Sequence, residues 1–118
     1  MVVAQSQVKG RGQYGKKWIS SKGNLFVSFF NELNKKNLSI STITKINCLL
    51  VKKLLSKFTS KNIFFKKPND LLIDKKKISG ILQEIISVKD KKFLITGIGI
   101  NITKNPNIKN YPATNLQE

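Results

Sequence analysis

Apolar positions along the chain fall in short runs more often than in long periodic ones, and the runs are separated by polar or glycine-rich stretches. Residues 1–5 read as a short strand that begins abruptly, with no preceding cap or turn. Residues 6–23 carry Gly10, Gly12, Gly15 and Gly23 among basic side chains, which is too polar and too glycine-rich for a regular element and predicts a long functional loop. Leu25, Phe26, Val27, Phe29 and Phe30 predict a largely buried strand over 24–30. The period then changes. Ile43, Ile46, Leu50, Leu54 and Phe58 recur at helical spacing with Lys45, Lys52, Lys53 and Lys57 between them, predicting an amphipathic helix over about 41–59 with Ser39 or Ser41 as its N-cap. Strands over 62–66 and 71–74 flank a tight turn at Pro68-Asn69-Asp70, and a charged hairpin tip over 74–77 leads into longer strands over 77–88 and 92–101 joined by Lys89-Asp90-Lys91. Beyond 101, Asn105, Pro106, Asn107, Asn110 and Pro112 leave no periodic pattern.

Strands outnumber helices and are mostly linked by hairpins, so the expected class is α+β, a mixed or antiparallel sheet with a packed helix, and a doubly wound nucleotide fold is excluded. At 118 residues the chain is one domain or part of one, with no internal repeat or boundary.

Composition sharpens the picture. Lys and Arg total 22 against six acidic residues, a formal net charge of +16, which favours phosphate-bearing or acidic partners. Lys, Asn and Ile are all over-used, as in an AT-biased gene, so dispersed lysines read as solvated surface and position matters more than total. Against that bias the single arginine, Arg11, stands inside the glycine loop, where a planar guanidinium forks onto a carboxylate or phosphate as lysine does not. The lone Cys48 falls in the apolar helical stretch and reads as a buried structural thiol. There is no His, which removes the commonest general base and metal ligand. No apolar run is long enough to span a membrane, and residues 1–6 lack the pattern of a signal peptide, so the expected compartment is the cytoplasm with no membrane partner.

Four segments stand out from the compositional drift. Gly10, Gly12 and Gly15 let backbone N–H groups converge on an anion, with Arg11, Lys16 and Lys17 supplying charge; the lesser alternative for the segment taken alone is a flexible basic surface loop. Lys66-Lys67-Pro68-Asn69-Asp70 sets a turn, and Lys66 and Lys77 on either side of it are placed to point into one pocket. The others are Lys77-Ile78-Ser79-Gly80, leading through Ile81-Leu82-Gln83-Glu84, and Gly97-Ile98-Gly99-Ile100-Asn101.

In that order, Gly-Arg-Gly-x-x-Gly-Lys-x-Trp, Lys-x-Pro-Asn-Asp-Leu, Lys-Ile-Ser-Gly-Ile-Leu-x-Glu and Gly-Ile-Gly-Ile-Asn resemble the catalytic core of biotin protein ligases over residues 7–101. The resemblance implies an α+β sandwich shared with lipoate ligases and related to class II aminoacyl-tRNA synthetases. It implies that ATP and biotin condense to biotinyl-adenylate and pyrophosphate, and that a lysine of a biotin carboxyl carrier protein, the acetyl-CoA carboxylase subunit, then attacks the mixed anhydride. By matching position, Lys77 and Arg11 are the expected catalytic residues, and Gln7, Gly10, Arg11, Lys77 and Gly80 the expected biotin site. Gly12, Gln13, Gly15, Lys16, Trp18, Asn69, Asp70 and Asn101 are expected on the ATP and adenylate side, with Asp70 near the phosphates. Mg²⁺ is implied by the nucleotide and held largely by phosphate oxygens, with no protein metal site expected. Adenylation needs placed charge and donors rather than a protein nucleophile, so a chain without His loses nothing.

Two positions depart from the pattern: Gln13 stands where the family usually has a second arginine, and Lys67 where it usually has Trp. Residues 1–118 are expected to be the central part of the catalytic domain, without the Ser-Thr-Asn biotin-binding segment that should precede Met1 and without the small C-terminal β domain. The competing readings are a non-catalytic basic nucleic-acid-binding fragment and a lipoate ligase relative. The first is disfavoured because Phe26, Phe29, Phe30, Phe64 and Phe65 are packed into strands as core rather than spaced as a stacking platform. Pairing with a second copy of the chain stays open.

Overall fold

A computed structural model describes residues 1–34 and 39–118. In chain order the elements are β1 (Val2–Ala4), β2 (Leu25–Glu32), α1 (Ile40–Leu55), β3 (Ile63–Lys66), β4 (Asp70–Ile73), β5 (Lys76–Val88) and β6 (Lys91–Ile100). The strands form one six-stranded sheet in the order β1-β2-β6-β5-β4-β3, and every pairing between them is antiparallel. The α+β expectation holds, with the sheet antiparallel rather than mixed.

Helix α1 starts where Ser39 Oγ accepts the Thr42 N–H at 3.2 Å, one of the orphan donors every helix start presents. It lies across β3, β4 and β5, burying Cys48, Val51 and Leu55 against Ile63, Leu71, Ile73, Ile78, Ile81 and Ile100. Each large apolar side chain taken out of water there contributes about 1.5–3 kcal/mol.

The buried stripe of α1 is not the one expected. Thr44, Cys48, Val51 and Leu55 face the sheet, while Ile46, Leu50, Leu54 and Phe58 are exposed, Leu50 by 59% and Phe58 by 67%; the helix also stops at Leu55 rather than about 59. Both stripes have helical spacing, and hydrophobicity alone favours the wrong one. A polar seam goes with the reversed stripe: the Thr44 hydroxyl meets Gln83 and the Ile40 carbonyl, and Gln83 Nε2 donates to Thr96 Oγ1 at 3.2 Å, so the polar groups under the helix are satisfied.

The strand over 24–30 is likewise less buried than expected. Phe26 is in the core, but Phe30 is 65% exposed; the helix packs on β3, β4 and β5, and Phe30 packs edge-on against Phe93. Phe64 also faces solvent, whereas Phe65 packs on the core.

Two local features place the site. The β4–β5 hairpin turns through Asp74 and Lys75, both at positive φ (49° and 64°). The β4–β5 register then shifts: Leu72 faces Lys77 and Leu71 faces Ser79, so Ile78 is an extra residue, a bulge. Three residues apart in an unbroken strand, Lys77 and Gly80 would point to opposite faces; the bulge turns the Lys77 side chain onto the face of Gly80.

Candidate functional site

The glycine loop is a folded structure. Trp18 N–H donates to Gly10 O at 2.9 Å and Gly12 N–H to Lys16 O at 2.6 Å, with Arg11 and Lys17 bridged between these pairs. At the tip, Tyr14 and Gly15 take positive φ (54° and 72°). The resulting ladder carries Trp18 back across the sheet, where Phe26, Gly99 and Gly80 are in register on the three central strands. On two of these positions the indole lies directly on backbone. A Cβ on Gly99 would stand 2.5 Å from Trp18 Cζ2, and one on Gly80 would stand 2.8 Å from Cζ3. Trp18 Nε1 is buried with no acceptor among the described residues.

Beside the indole the bulge delivers Lys77. Its Nζ is 2.7 Å from Asp70 Oδ1, 4.9 Å from the Trp18 ring centroid and 5.3 Å from that of Tyr111. Asp70 Oδ1 has no hydrogen bond of ordinary geometry, so the contact with Lys77 is chiefly charge on charge. Oδ2 accepts a hydrogen bond from the Tyr111 hydroxyl, and Lys66 Nζ stands 4.9 Å above the Tyr111 ring. Burial, then the hydrogen bond to Asp70 and its charge, push the Tyr111 hydroxyl pKa well above the usual phenol range. A largely desolvated pair such as Lys77–Asp70 is weak evidence for stability, since desolvation offsets the attraction; its consequence is placement of charge.

These elements enclose a cavity of about 750 Å³, of the size that holds a small-molecule ligand. Arg11, Lys16, Lys17, Lys66, Lys67 and Lys77 line it, and Asp70 is its one carboxylate among the described residues, while Trp18, Ile81, Leu82 and Ile98 supply apolar wall. The combination suits a ligand with an apolar body and an anionic end.

The structure brings most of the expected residues together. Gln7, Arg11, Gly12, Gln13, Lys16, Trp18, Asn69, Asp70, Lys77, Gly80 and Asn101 line the cavity; Gly10 and Gly15 do not. Gly10 closes the base of the loop, and Gly15 lies at a shallower pocket between the loop tip and Glu84. Arg11 turns outward, pairing with Glu84 at 2.8 Å with its side chain 68% exposed. Gln7 Nε2 donates to Ser20 Oγ at 3.0 Å. The buried amides are committed to backbone, Asn69 Nδ2 to Ile81 O at 2.8 Å and Asn101 Nδ2 to Thr114 O at 3.0 Å.

Sequence reasoning missed Tyr111, which lies in the stretch with no periodicity; its only signal was an aromatic residue beside Pro112 in otherwise polar chain. Among the described residues no group of three His, Cys, Asp or Glu converges as a metal site.

An antiparallel sheet with a basic glycine loop folded over a cationic, partly apolar pocket defines the class of α+β domain to which this chain belongs. Residues 1–101 match the Biotin/lipoate A/B protein ligase family, and the chain belongs to that family. The bifunctional ligase/repressor BirA of Escherichia coli K12 is 31% identical over 102 residues, covering 85% of this chain and 32% of that protein; BirA of Bacillus subtilis 168 is 32% identical over 109 residues, covering 91% and 34%. Among solved structures, the biotin protein ligase from Aquifex aeolicus in complex with biotin and ATP superposes with a TM-score of 0.80 at 38% identity, covering 97% of this chain and 48% of that one. The Leishmania major biotin protein ligase in complex with biotinyl-5-AMP gives 0.75 at 29% identity, covering 98% and 51%. This chain therefore spans about a third of the curated relatives' length and about half of the solved chains. Among the described residues no helix is long and apolar enough to cross a membrane.

Proposed function

We propose that this chain carries the adenylate-forming pocket of a biotin protein ligase acting in the cytoplasm. The observation that carries the reading is Lys77 held by Asp70 at the head of a cavity whose floor, Gly80 and Gly99, is covered by Trp18. In the proposed reaction a biotin carboxylate oxygen attacks the α-phosphorus of ATP and pyrophosphate leaves. In this reading Lys77, at the head of the cavity, is the ammonium that meets both anions and stabilises charge as it builds on the phosphorus oxygens. Lys16, Lys17 and Lys66 add positive potential around the leaving pyrophosphate, and Trp18 with the sheet glycines shields the acyl chain from water. Mg²⁺, if carried in on the nucleotide, would be held chiefly by phosphate oxygens with Asp70 nearby and would supply neutralisation of phosphate charge. In the second step the ε-amine of a biotin carboxyl carrier protein lysine attacks the anhydride carbonyl, AMP leaves, and the amide forms. Arg11, which lines the cavity while paired with Glu84, is the residue assigned in this reading to the adenylate side of the loop.

The test is ligand-induced stabilisation. Biotin with Mg-ATP at 100 times the Kd raises the unfolding free energy by about 2.7 kcal/mol, and the gain is expected to disappear in Lys77→Gln but persist in Lys75→Gln and Lys76→Gln, whose side chains lie outside the pocket. No gain from biotin with Mg-ATP, alongside a salt-sensitive gain from random-sequence DNA, overturns the ligase reading in favour of nucleic-acid binding. Lipoate replacing biotin with equal effect moves the assignment to the lipoate branch.

A further inference from the structure

We infer that Tyr111 is a positioning residue for Lys77, acting through Asp70. The backbone of Asp70 is held opposite Gly80, but a carboxylate turns easily about its last torsion, so one lysine contact does not settle where Oδ1 points. Tyr111 supplies the missing constraint by donating its hydroxyl to Oδ2, which leaves Oδ1 facing Lys77 Nζ at 2.7 Å.

Tyr111 is in turn anchored by the residue it serves. Lys77 N–H donates to Pro112 O at 2.9 Å and Thr114 N–H donates to Lys77 O at 2.9 Å, forming a parallel bridge between Lys77 and Ala113. A closed circuit results, from the Lys77 backbone to the 112–114 segment, through the Tyr111 hydroxyl to Asp70 and back to the Lys77 ammonium. The ring adds a second hold, with Lys77 Nζ 5.3 Å and Lys66 Nζ 4.9 Å from its centroid. Since burial and Asp70 keep the phenol protonated, it remains a donor throughout the neutral range. The inference rests on the ligase reading only for what Lys77 acts upon; the clamp itself is a property of the free protein.

The test therefore uses the whole chain without ligand. Lysines are acetylated with limiting acetic anhydride at one pH, and the rate at each is read by peptide mass spectrometry, Lys75 and Lys76 serving as internal references. Tyr111→Phe keeps the ring and removes the hydroxyl. The Lys77 rate is expected to rise about 3- to 10-fold, the loss of one hydrogen bond's worth of restraint, with Lys75 and Lys76 unchanged. In an Asp70→Asn background, where the ion pair is already gone, Tyr111→Phe is expected to change the Lys77 rate by less than about 1.5-fold, since coupled residues are not additive. Hydrogen exchange at the Lys77 amide, bonded to Pro112, reports whether the segment stays docked. A Lys77 rate within twofold of the native one overturns the inference. So does a rise shared by Lys75 and Lys76, a faster Lys77 amide exchange, or an equal rise in the Asp70→Asn background. Failure of the ligase reading shows separately, as absence of Lys77 protection by biotin with Mg-ATP in the native chain.

Discussion

Adding a methyl group to the pocket floor tests the seat of Trp18 directly, because three sheet glycines differ sharply in what their Cβ would meet. On Gly99 it would stand 2.5, 2.6 and 3.0 Å from Cζ2, Cε2 and Nε1 of the indole. Unstrained carbon contacts are about 3.5–4.0 Å, so the ring must retreat by about 1 Å. On Gly80 the contacts are 2.8 Å to Trp18 Cζ3 and 3.0 Å to Lys77 Cε; the lysine tail bends aside, and the ring yields by about 0.7 Å. On Gly97 the nearest atoms are Ser28 Oγ at 3.7 Å and Leu82 O at 3.8 Å, which is ordinary contact. Overpacking of this kind costs about 1–3 kcal/mol, whereas replacing a strand glycine by alanine where there is room returns about 0.5–1 kcal/mol. The expected order of stability is Gly97→Ala at or above the native chain, then Gly80→Ala, then Gly99→Ala. Trp18 is the chain's one tryptophan, so its emission reports the seat without labelling. Gly99→Ala and Gly80→Ala should shift emission to the red and increase acrylamide quenching, with denaturant unfolding supplying the free energies. Native emission in Gly99→Ala together with a stability loss under about 0.5 kcal/mol would refute the seat, since surface substitutions alone produce changes that small.

Glu84→Gln removes the partner of Arg11 but should cost less than about 0.5 kcal/mol, because the pair is largely exposed; a loss above 1 kcal/mol would show that the ion pair, not Trp18, holds the loop down. Burial, and then the nearby charge of Asp70, raises the Cys48 thiol from 9.0 to about 11. The unfolded thiol thus ionises first, and the contribution is whole below about pH 9 and lost as pH rises towards 11. Relative to Cys48→Ala, the native chain should lose about 2 kcal/mol of unfolding free energy between pH 8 and 10.5; parallel pH curves for the two proteins would contradict this.

Legibility in the sequence followed the range of the interaction. The glycine loop, the turn around Pro68-Asn69, the β4–β5 hairpin tip and the existence of α1 all depend on neighbours within a few residues, and each appears where its local pattern places it. Lys77 could be singled out from Lys75 and Lys76 only by its distance to Gly80 in a family motif; the reason for that spacing is the Ile78 bulge, which exists only when β4 lies alongside. The buried stripe of α1 was illegible for a related reason. Thr44 earns its place from Gln83 and Thr96, residues 39 and 52 positions further on, and no helical periodicity carries that information.

By itself the sequence determined the chemistry available to this protein: an arginine among glycines, lysines at set intervals, no histidine, and strand-rich apolar patterning that admits one class of fold. Composition and short-range spacing are properties of the chain, and folding does not alter them. The tertiary structure decided which of those groups meet. Cross-strand register set Gly80 beside Gly99, loop closure laid Trp18 on both, and the return of the chain after β6 brought Tyr111 onto Asp70, 41 residues away. Such contacts depend on strand pairing and on the path of the connecting segment, and neither is encoded within any one stretch of sequence.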